Sequence, residues 1–193
     1  MTPRGCGAIP EPPAGAPPSA SAPLAGRAGD LAAAGAREVA FLAQVSLRAE
    51  EALVAQVPFA LPRAPNSWRR GDGREALWLG PDEWLVVAGP GEASAVVAEL
   101  EAALDGEHHS VVDVSAYRTV VELAGEDRFD LLAQGCGLDL HPRSWRDGRC
   151  AQTLLGRVPV LLQERDDATR VFVRTSFANH LASWLLRAAA PAG

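Results

Sequence analysis

This 193-residue chain contains no lysine, so all 18 of its basic residues are arginines, and its 24 acidic residues outnumber them. The resulting net charge of −6 argues against nonspecific nucleic-acid binding, which requires a basic surface to neutralise phosphates. The chain also lacks an apolar run long enough to span a bilayer, and its first residues lack the apolar core of a secretory signal. We therefore expect a cytoplasmic protein that binds neither nucleic acid nor membranes.

Cysteine is scarce, and the three thiols are irregularly spaced, which argues against the disulfide framework of a small secreted domain. Cys136 and Cys150 are expected to be free and buried. A metal site formed by these two with His141 is the alternative, but structural zinc sites normally use two closely spaced pairs of ligands. We assign no metal ligand in this chain.

Nucleotide-binding motifs are also missing, since the chain has no Gly-x-Gly-x-x-Gly and no Gly-x-x-x-x-Gly-Lys. Gly89-Pro90-Gly91 precedes a predicted helix, but its proline has no N–H to donate to a phosphate. Asp113 and Ser115 alternate along a predicted strand. Without a histidine motif beside them, they are expected to satisfy the end of that strand rather than to form a catalytic triad. We assign no catalytic and no cofactor-binding residue.

Residues 1–37 are rich in proline, alanine and glycine and are predicted to form a disordered arm, because they offer little apolar surface to bury. Residues 38–190 are predicted to form one domain, with a first strand over residues 39–47 and a loop over residues 61–73. Its elements follow the order strand, strand, strand, helix, strand, strand, helix, strand, strand, strand, helix. Antiparallel hairpins dominate this order, which predicts an α+β fold with helices packed on an antiparallel sheet.

Three segments carry a resemblance to a known family. Residues 79–85 read Leu-Gly-Pro-Asp-Glu-Trp-Leu, and residues 174–178 read Arg-Thr-Ser-Phe-Ala. Residues 113–153 contain Asp-Val-Ser-Ala-Tyr-Arg-Thr, then Gly-Cys-Gly-Leu-Asp-Leu-His-Pro-Arg, then Cys-Ala-Gln-Thr. In this order they resemble the gamma subunit of heterotetrameric sarcosine oxidase, and the resemblance covers residues 39–189.

The resemblance implies a fold like the folate-binding core of glycine-cleavage aminomethyltransferases. It also implies a non-catalytic, structural subunit whose partners are large alpha and beta subunits and a small delta subunit. Such a complex would oxidise sarcosine to glycine and hydrogen peroxide and pass a one-carbon unit to tetrahydrofolate. FAD, FMN, NAD and tetrahydrofolate are implied for the whole complex, with none of them held by this chain.

A free-standing folate-binding protein, related to aminomethyltransferases or to iron–sulfur maintenance factors, is the alternative function. Maintenance factors of this fold carry the motif Lys-Gly-Cys-Tyr-x-Gly-Gln-Glu. Residues 148–153 read Gly-Arg-Cys-Ala-Gln-Thr and keep only the cysteine and a glutamine. The departure from the motif favours the subunit over the maintenance factor.

Tryptophan and arginine occur together in two predicted loops, Trp68-Arg69-Arg70 and Arg143 with Trp145. These residue types contribute a large share of the binding energy in many interfaces. The five residues are therefore predicted to contact the partner subunits. The alternative is that the two tryptophans cover the domain's own core.

Overall fold

The computed structural model describes residues 21–190, in which ten strands and four α-helices follow one another along the chain. The strands are β1 Ala36–Val39, β2 Ala43–Ala49, β3 Trp68–Gly71, β4 Arg74–Gly80, β5 Glu83–Ala88, β6 His109–Asp113, β7 Arg118–Ala124, β8 Cys150–Leu155, β9 Val158–Glu164 and β10 Ala168–Arg174. The α-helices are α1 Ala28–Ala33, α2 Ala93–Ala103, α3 Arg128–Ala133 and α4 Ala178–Ala188. Short 3-10 helices cover Ala25–Arg27, Glu51–Gln56 and Thr175–Phe177. No helix in this part of the chain is long and apolar enough to cross a bilayer.

The strands form two five-stranded sheets, with the orders β1-β7-β10-β9-β8 in the first sheet and β3-β4-β5-β2-β6 in the second. Every pairing between named strands is antiparallel. The predicted α+β fold with helices on antiparallel sheet structure is confirmed. The hairpin pattern does not predict the division into two sheets. A hairpin determines that two consecutive strands pair, but it does not determine to which sheet each hairpin belongs.

Three hydrophobic clusters hold the layers together. Between the sheets, Leu77 of the second sheet and Phe172 of the first belong to one buried cluster. The outer face of the first sheet packs against α1, α3 and α4, and that of the second against α2 and the 3-10 helix Glu51–Gln56. The inner strand β7 is therefore buried on both faces, with Val120 in the cluster between the sheets and Val121 in the cluster under the helices. This double burial explains why two apolar residues, Val120 and Val121, follow each other in this strand instead of alternating with polar ones.

The folded region begins before the expected boundary at residue 38. Leu24 and Leu31 are buried in the cluster that covers the first sheet, and each contributes about 1.5–3 kcal/mol by burial. The Arg27 guanidinium donates to the Asn179 carbonyl at 3.0 Å and to the Ser183 hydroxyl at 2.8 Å, both on α4. Residues 24–37 therefore differ from the expected disordered arm, because two leucines dock this alanine-rich segment on the domain. Residues 1–20 of the predicted arm lie outside the described residues.

Two predicted segments also have different structures. The strand expected over residues 39–47 is divided into β1 and β2, which lie in different sheets, because Phe41 adopts a left-handed φ of 62°. The loop expected over residues 61–73 contains β3, which pairs with β4 around Asp72 and Gly73. Their φ angles of 51° and 75° are both positive, as a type I′ hairpin turn requires.

Candidate functional site

The two tryptophan–arginine segments predicted to form an interface lie next to each other. The Trp68 backbone N–H donates to the Gly148 carbonyl at 2.9 Å and so fixes β3 against the loop that follows Trp145. A cleft of about 510 Å³ opens at this junction. It is lined by Trp68, Arg69, Arg70, Asp147, Gly148, Arg165, Asp166 and Asp167. Charges of both signs line this cleft. Its electrostatic potential therefore does not favour a ligand of one particular charge.

Both tryptophan side chains are buried, with 7% of Trp68 and 5% of Trp145 exposed. The Trp68 indole N–H donates to the Glu164 carbonyl at 2.7 Å, and the Trp145 indole N–H donates to the Glu164 carboxylate at 2.8 Å. The two indoles thus cover the domain's own core, which was the alternative for these positions, and the contact of the five residues with partner subunits stays a prediction. The exposed members of the predicted set are Arg69, Arg70 and Arg143.

Glu164 lies at the centre of a buried polar cluster and is itself 1% exposed. Its carboxylate accepts a hydrogen bond from Arg128 at 2.8 Å and another from the Thr169 hydroxyl, in addition to the one from Trp145. Arg128 also donates to the Gly125 carbonyl at 2.8 Å. A buried carboxylate needs such partners because an uncompensated buried charge is strongly destabilising. The cluster fastens α3 and the Trp145 loop to the first sheet.

A second group of charges joins the two sheets. Glu75 of β4 accepts hydrogen bonds from Gln163 at 2.9 Å and from Arg170 at 3.0 Å, both in the first sheet. Arg70 and Arg165 also form ion pairs with it. Burial alone would raise the pKa of Glu75, but the Gln163 hydrogen bond and the charges of Arg170 and Arg165 bring its pKa below the usual value. Arg70 is thus engaged within the chain.

Residues of the family-like segments form hydrogen bonds inside the domain. The Asp113 carboxylate accepts bonds from the Ser115 hydroxyl at 2.6 Å and from the Ser115 backbone N–H at 2.9 Å, and these bonds lower the pKa of Asp113. Ser115 in turn accepts the backbone N–H of Gln44 at 3.0 Å. The expectation that Asp113 and Ser115 satisfy the end of a strand is confirmed.

The Asp-Leu-His-Pro turn has a similar structural role. The Asp139 carboxylate accepts the backbone N–H of His141 at 3.1 Å and the Ser144 hydroxyl at 2.6 Å. Bonds of this kind stabilise a turn locally. In the last family-like segment, the Thr175 hydroxyl donates to the Ala116 carbonyl at 2.9 Å and holds the loop before β7. These side chains are therefore used to position backbone.

Cys136 and Cys150 are free thiols and both are buried, as expected. The Cys150 thiol donates to the Ser67 carbonyl at 3.1 Å, and burial raises its pKa to about 12. A thiol with this pKa is protonated at neutral pH, whereas nucleophilic attack and metal binding use the thiolate. Within residues 21–190 no three potential metal ligands come together.

The glycine-rich loop before α2 does not fit a flavin or nicotinamide phosphate. The Glu92 carboxylate accepts the Gly89 backbone N–H at 2.7 Å. The Glu92 carboxylate thus already uses the backbone N–H that a bound phosphate would need, and its negative charge would repel a phosphate. The chemistry of this loop agrees with the absence of a phosphate-binding motif in the sequence.

The structure also brings together three residues of the family-like segments that the sequence analysis assigned to no site, Tyr117, Arg118 and Arg174, which we call the arginine–tyrosine cluster. Arg118 begins β7 and Arg174 ends β10, and the two are directly opposite in the register of the strands. Their guanidinium carbons lie 4.7 Å and 5.2 Å from the centre of the Tyr117 ring. Only the pairing of β7 with β10 places Arg174 beside the other two, so sequence spacing gives no signal for the cluster.

Comparison with known proteins gives consistent matches. The model of the sarcosine oxidase, gamma subunit family matches residues 35–191. The sarcosine oxidase subunit gamma of Arthrobacter sp. is 39% identical over 160 residues, which cover 79% of this chain and 78% of that protein. The subunit gamma of Corynebacterium sp. (strain U-96) is 39% identical over 161 residues, with 79% and 77% covered.

Of the solved structures that resemble this chain, one is similar in both sequence and fold and another in fold alone. A chain of the heterotetrameric sarcosine oxidase from Corynebacterium sp. U-96, in complex with pyrrole 2-carboxylate, superposes with a TM-score of 0.81 at 35% identity, covering 88% of this chain and 94% of that chain. The glycine cleavage system aminomethyltransferase T from Bartonella henselae superposes with a TM-score of 0.57 at 16% identity, covering 81% of this chain and 48% of that chain. The second match shows a shared fold alone.

Proposed function

The chain belongs to the sarcosine oxidase gamma subunit family, and we propose that it serves as the gamma subunit of a heterotetrameric sarcosine oxidase. The superposition on a chain of that enzyme carries the proposal, because it spans nearly all of both chains. The resemblance stated from three sequence segments is confirmed at the level of the family.

In this proposal the complex oxidises sarcosine to glycine and hydrogen peroxide and passes a one-carbon unit to tetrahydrofolate. The partners are large alpha and beta subunits and a small delta subunit, assembled in the cytoplasm. FAD, FMN, NAD and tetrahydrofolate are bound by those partners. In support, Glu92 already takes the backbone N–H that a phosphate would need in the glycine-rich loop of this chain.

The role of this chain is structural. The polar residues of its family-like segments, such as Asp113, Asp139 and Thr175, bond to neighbouring parts of the chain. The carboxylate of the buried Glu164 accepts three hydrogen bonds, all from side chains of this chain. A domain organised in this way presents a rigid surface, which is what a subunit that supports larger partners requires.

Of the residues predicted to form an interface, Arg69 and Arg143 are the best-placed contacts with the partners. Both are exposed, and neither forms an ion pair within the described residues. Arg70 is held by Glu75, while Trp68 and Trp145 shape this surface from below. Replacing Arg69 and Arg143 together by alanine should weaken co-purification and leave the fold intact.

An omission experiment tests the proposed function. The large subunits from the same genome are expressed with and without this chain, and sarcosine-dependent peroxide and complex size are measured. We expect the complete set to give an active complex and the set lacking this chain to give a smaller or inactive assembly. An equally active and equally sized assembly without the chain would contradict a subunit role. Stoichiometric binding of tetrahydrofolate to the isolated chain would favour the free-standing alternative.

A further inference from the structure

The arginine–tyrosine cluster holds two positive charges at a position where the fold alone would not favour them. Arg118 and Arg174 are cross-strand partners, and like charges directly opposite each other destabilise an antiparallel pair. Both guanidinium groups lie over the Tyr117 ring. Arg118 is half-buried, and that burial, together with the charge of Arg174, lowers its pKa.

These two arginines differ from those elsewhere in the first sheet in having no counterion. Arg37 of β1 and Arg170 of β10 both pair with Glu122. Within residues 21–190, neither Arg118 nor Arg174 forms an ion pair. The charge of Glu83 acts on Arg118, but its carboxylate pairs with Arg48 at 2.8 Å. The two neighbouring guanidinium groups, with no carboxylate of the described residues bonded to either, therefore form a local positive site on a chain whose net charge is −6.

An apolar cleft of about 360 Å³ adjoins this positive site, and Arg118 is one of its lining residues. Pro23, Phe41 and Ala116 form its apolar part, beside the hydroxyl-bearing Thr175. The Phe41 side chain is 52% exposed, although its backbone has a φ of 62° that is unfavourable for a residue with a Cβ atom. A large aromatic side chain thus stands in solvent at a position where glycine would be easier to accommodate.

We propose that the arginine–tyrosine cluster and the Phe41 cleft together form the docking site for a segment of a large partner subunit that presents a carboxylate beside a large apolar side chain. The carboxylate takes the place of the missing counterion, because guanidinium groups bind carboxylates in a forked geometry. The apolar side chain enters the cleft against Phe41. The inference rests on the proposed function, since it requires a partner subunit.

The rigidity of the surroundings supports docking over induced folding. The Thr175 hydroxyl donates to the Ala116 carbonyl at 2.9 Å, and its backbone N–H donates to the Tyr117 carbonyl at 3.1 Å. These bonds connect the loop before β7 to the end of β10. The site is therefore set by the sheet before a partner arrives, which reduces the ordering cost of binding.

The test replaces both arginines by glutamine, Arg118→Gln with Arg174→Gln, in the full chain and measures its affinity for the purified large subunits. We expect affinity to fall about 30-fold or more, as for central interface arginines. The melting temperature of the isolated chain should stay the same or rise, because the repulsion between the two charges is removed. The matched control is Arg63→Gln with Arg187→Gln, two exposed arginines without ion pairs, which should bind as the wild type does.

A second variant, Phe41→Gly, probes the cleft independently. It removes the apolar side chain and relieves the left-handed backbone. We expect unchanged or higher stability together with weaker association, a combination that a purely structural phenylalanine would not give. A lower melting temperature for both variants with unchanged affinity would overturn the docking site.

The remaining outcomes separate the two proposals. If the wild-type chain does not bind the large subunits, the proposed function fails and this site fails with it. If the wild type and the double arginine variant bind equally, the site alone is overturned. Loss of a homodimer in the variant would assign the surface to a second copy. If the double arginine variant changes the melting temperature of the full chain but not that of a chain without residues 1–20, the surface binds the chain's own N-terminal segment. Either assignment overturns the proposal.

Discussion

The indole N–H of Trp145 donates to the carboxylate of Glu164 at 2.8 Å, and both side chains are buried. This bond connects the loop after the Asp-Leu-His-Pro turn to the end of β9. It also explains why a tryptophan surrounded by arginines in the sequence is not an exposed anchor: its polar edge has a partner inside the domain. A buried donor and acceptor that satisfy each other are costly to separate.

Replacing Trp145 by alanine should therefore lower the free energy of unfolding by about 3–5 kcal/mol, through the cavity and the lost hydrogen bond. Urea denaturation of the isolated chain measures the change. The neighbouring Arg143→Ala is the control and should stay within about 0.5 kcal/mol of the wild type, since this side chain is exposed. Equal stability of the two variants would place Trp145 outside the core.

Gly135 lies against the Trp184 indole, so a methyl group at this position would overlap the ring and lie 2.9 Å from the Gly156 backbone nitrogen. We expect Gly135→Ala to destabilise the domain by roughly 1–3 kcal/mol through overpacking. Gly137→Ala is the matched control, because a methyl group there meets no atom within 4 Å. Thermal melts of both variants give the comparison, and a similar loss in both would rule out packing on Trp184 as the cause.

The charges around Glu75 predict a pH dependence of stability. Its pKa in the folded chain lies below the ordinary 4.5, so the stability it contributes is fully present above pH 4.5 and is lost as the pH falls through the lower folded value. Glu75→Gln should lower the free energy of unfolding at pH 7 by roughly 1–3 kcal/mol. In urea titrations from pH 7 to pH 3.5, the difference from the wild type should shrink below pH 4.5. A difference that grows as the pH falls would contradict the assignment.

The Cys150 thiol should react slowly in the folded chain. Burial raises its pKa to about 12, so almost no thiolate is present at pH 8. Iodoacetamide labelling followed by peptide mass analysis should leave Cys150 unmodified in the native chain and modify it fully after unfolding in guanidinium. Rapid native labelling at this residue would show that it is exposed or activated.

The sequence was sufficient for those parts of the fold that depend on local periodicity. The three strands β8 to β10 followed by the helix α4 agree with the end of the predicted order of elements, because apolar periodicity and turn residues define them. The division at Phe41 could not be predicted, since a left-handed φ is uncommon for phenylalanine and depends on the two sheets that its neighbours join.

The candidate site was less predictable for a related reason. Tryptophan beside arginine has the composition of an interface, but the direction of the Trp68 and Trp145 side chains is decided by Glu164, which is distant in sequence from Trp68. The same applies to Arg174, which reaches Tyr117 only through the pairing of two strands. Contacts of this kind depend on tertiary structure and leave no local pattern.

The most direct test of a structural gamma subunit is the native mass of the complex recovered through an affinity tag on this chain, co-expressed with the large and small subunits of the same genome. The account predicts one assembly that contains this chain together with alpha, beta and delta subunits, that carries the flavins and that produces peroxide from sarcosine. The same tagged chain expressed alone should be colourless. Recovery of the tagged chain alone from the co-expressing cells, or stoichiometric flavin on the isolated chain, would contradict it.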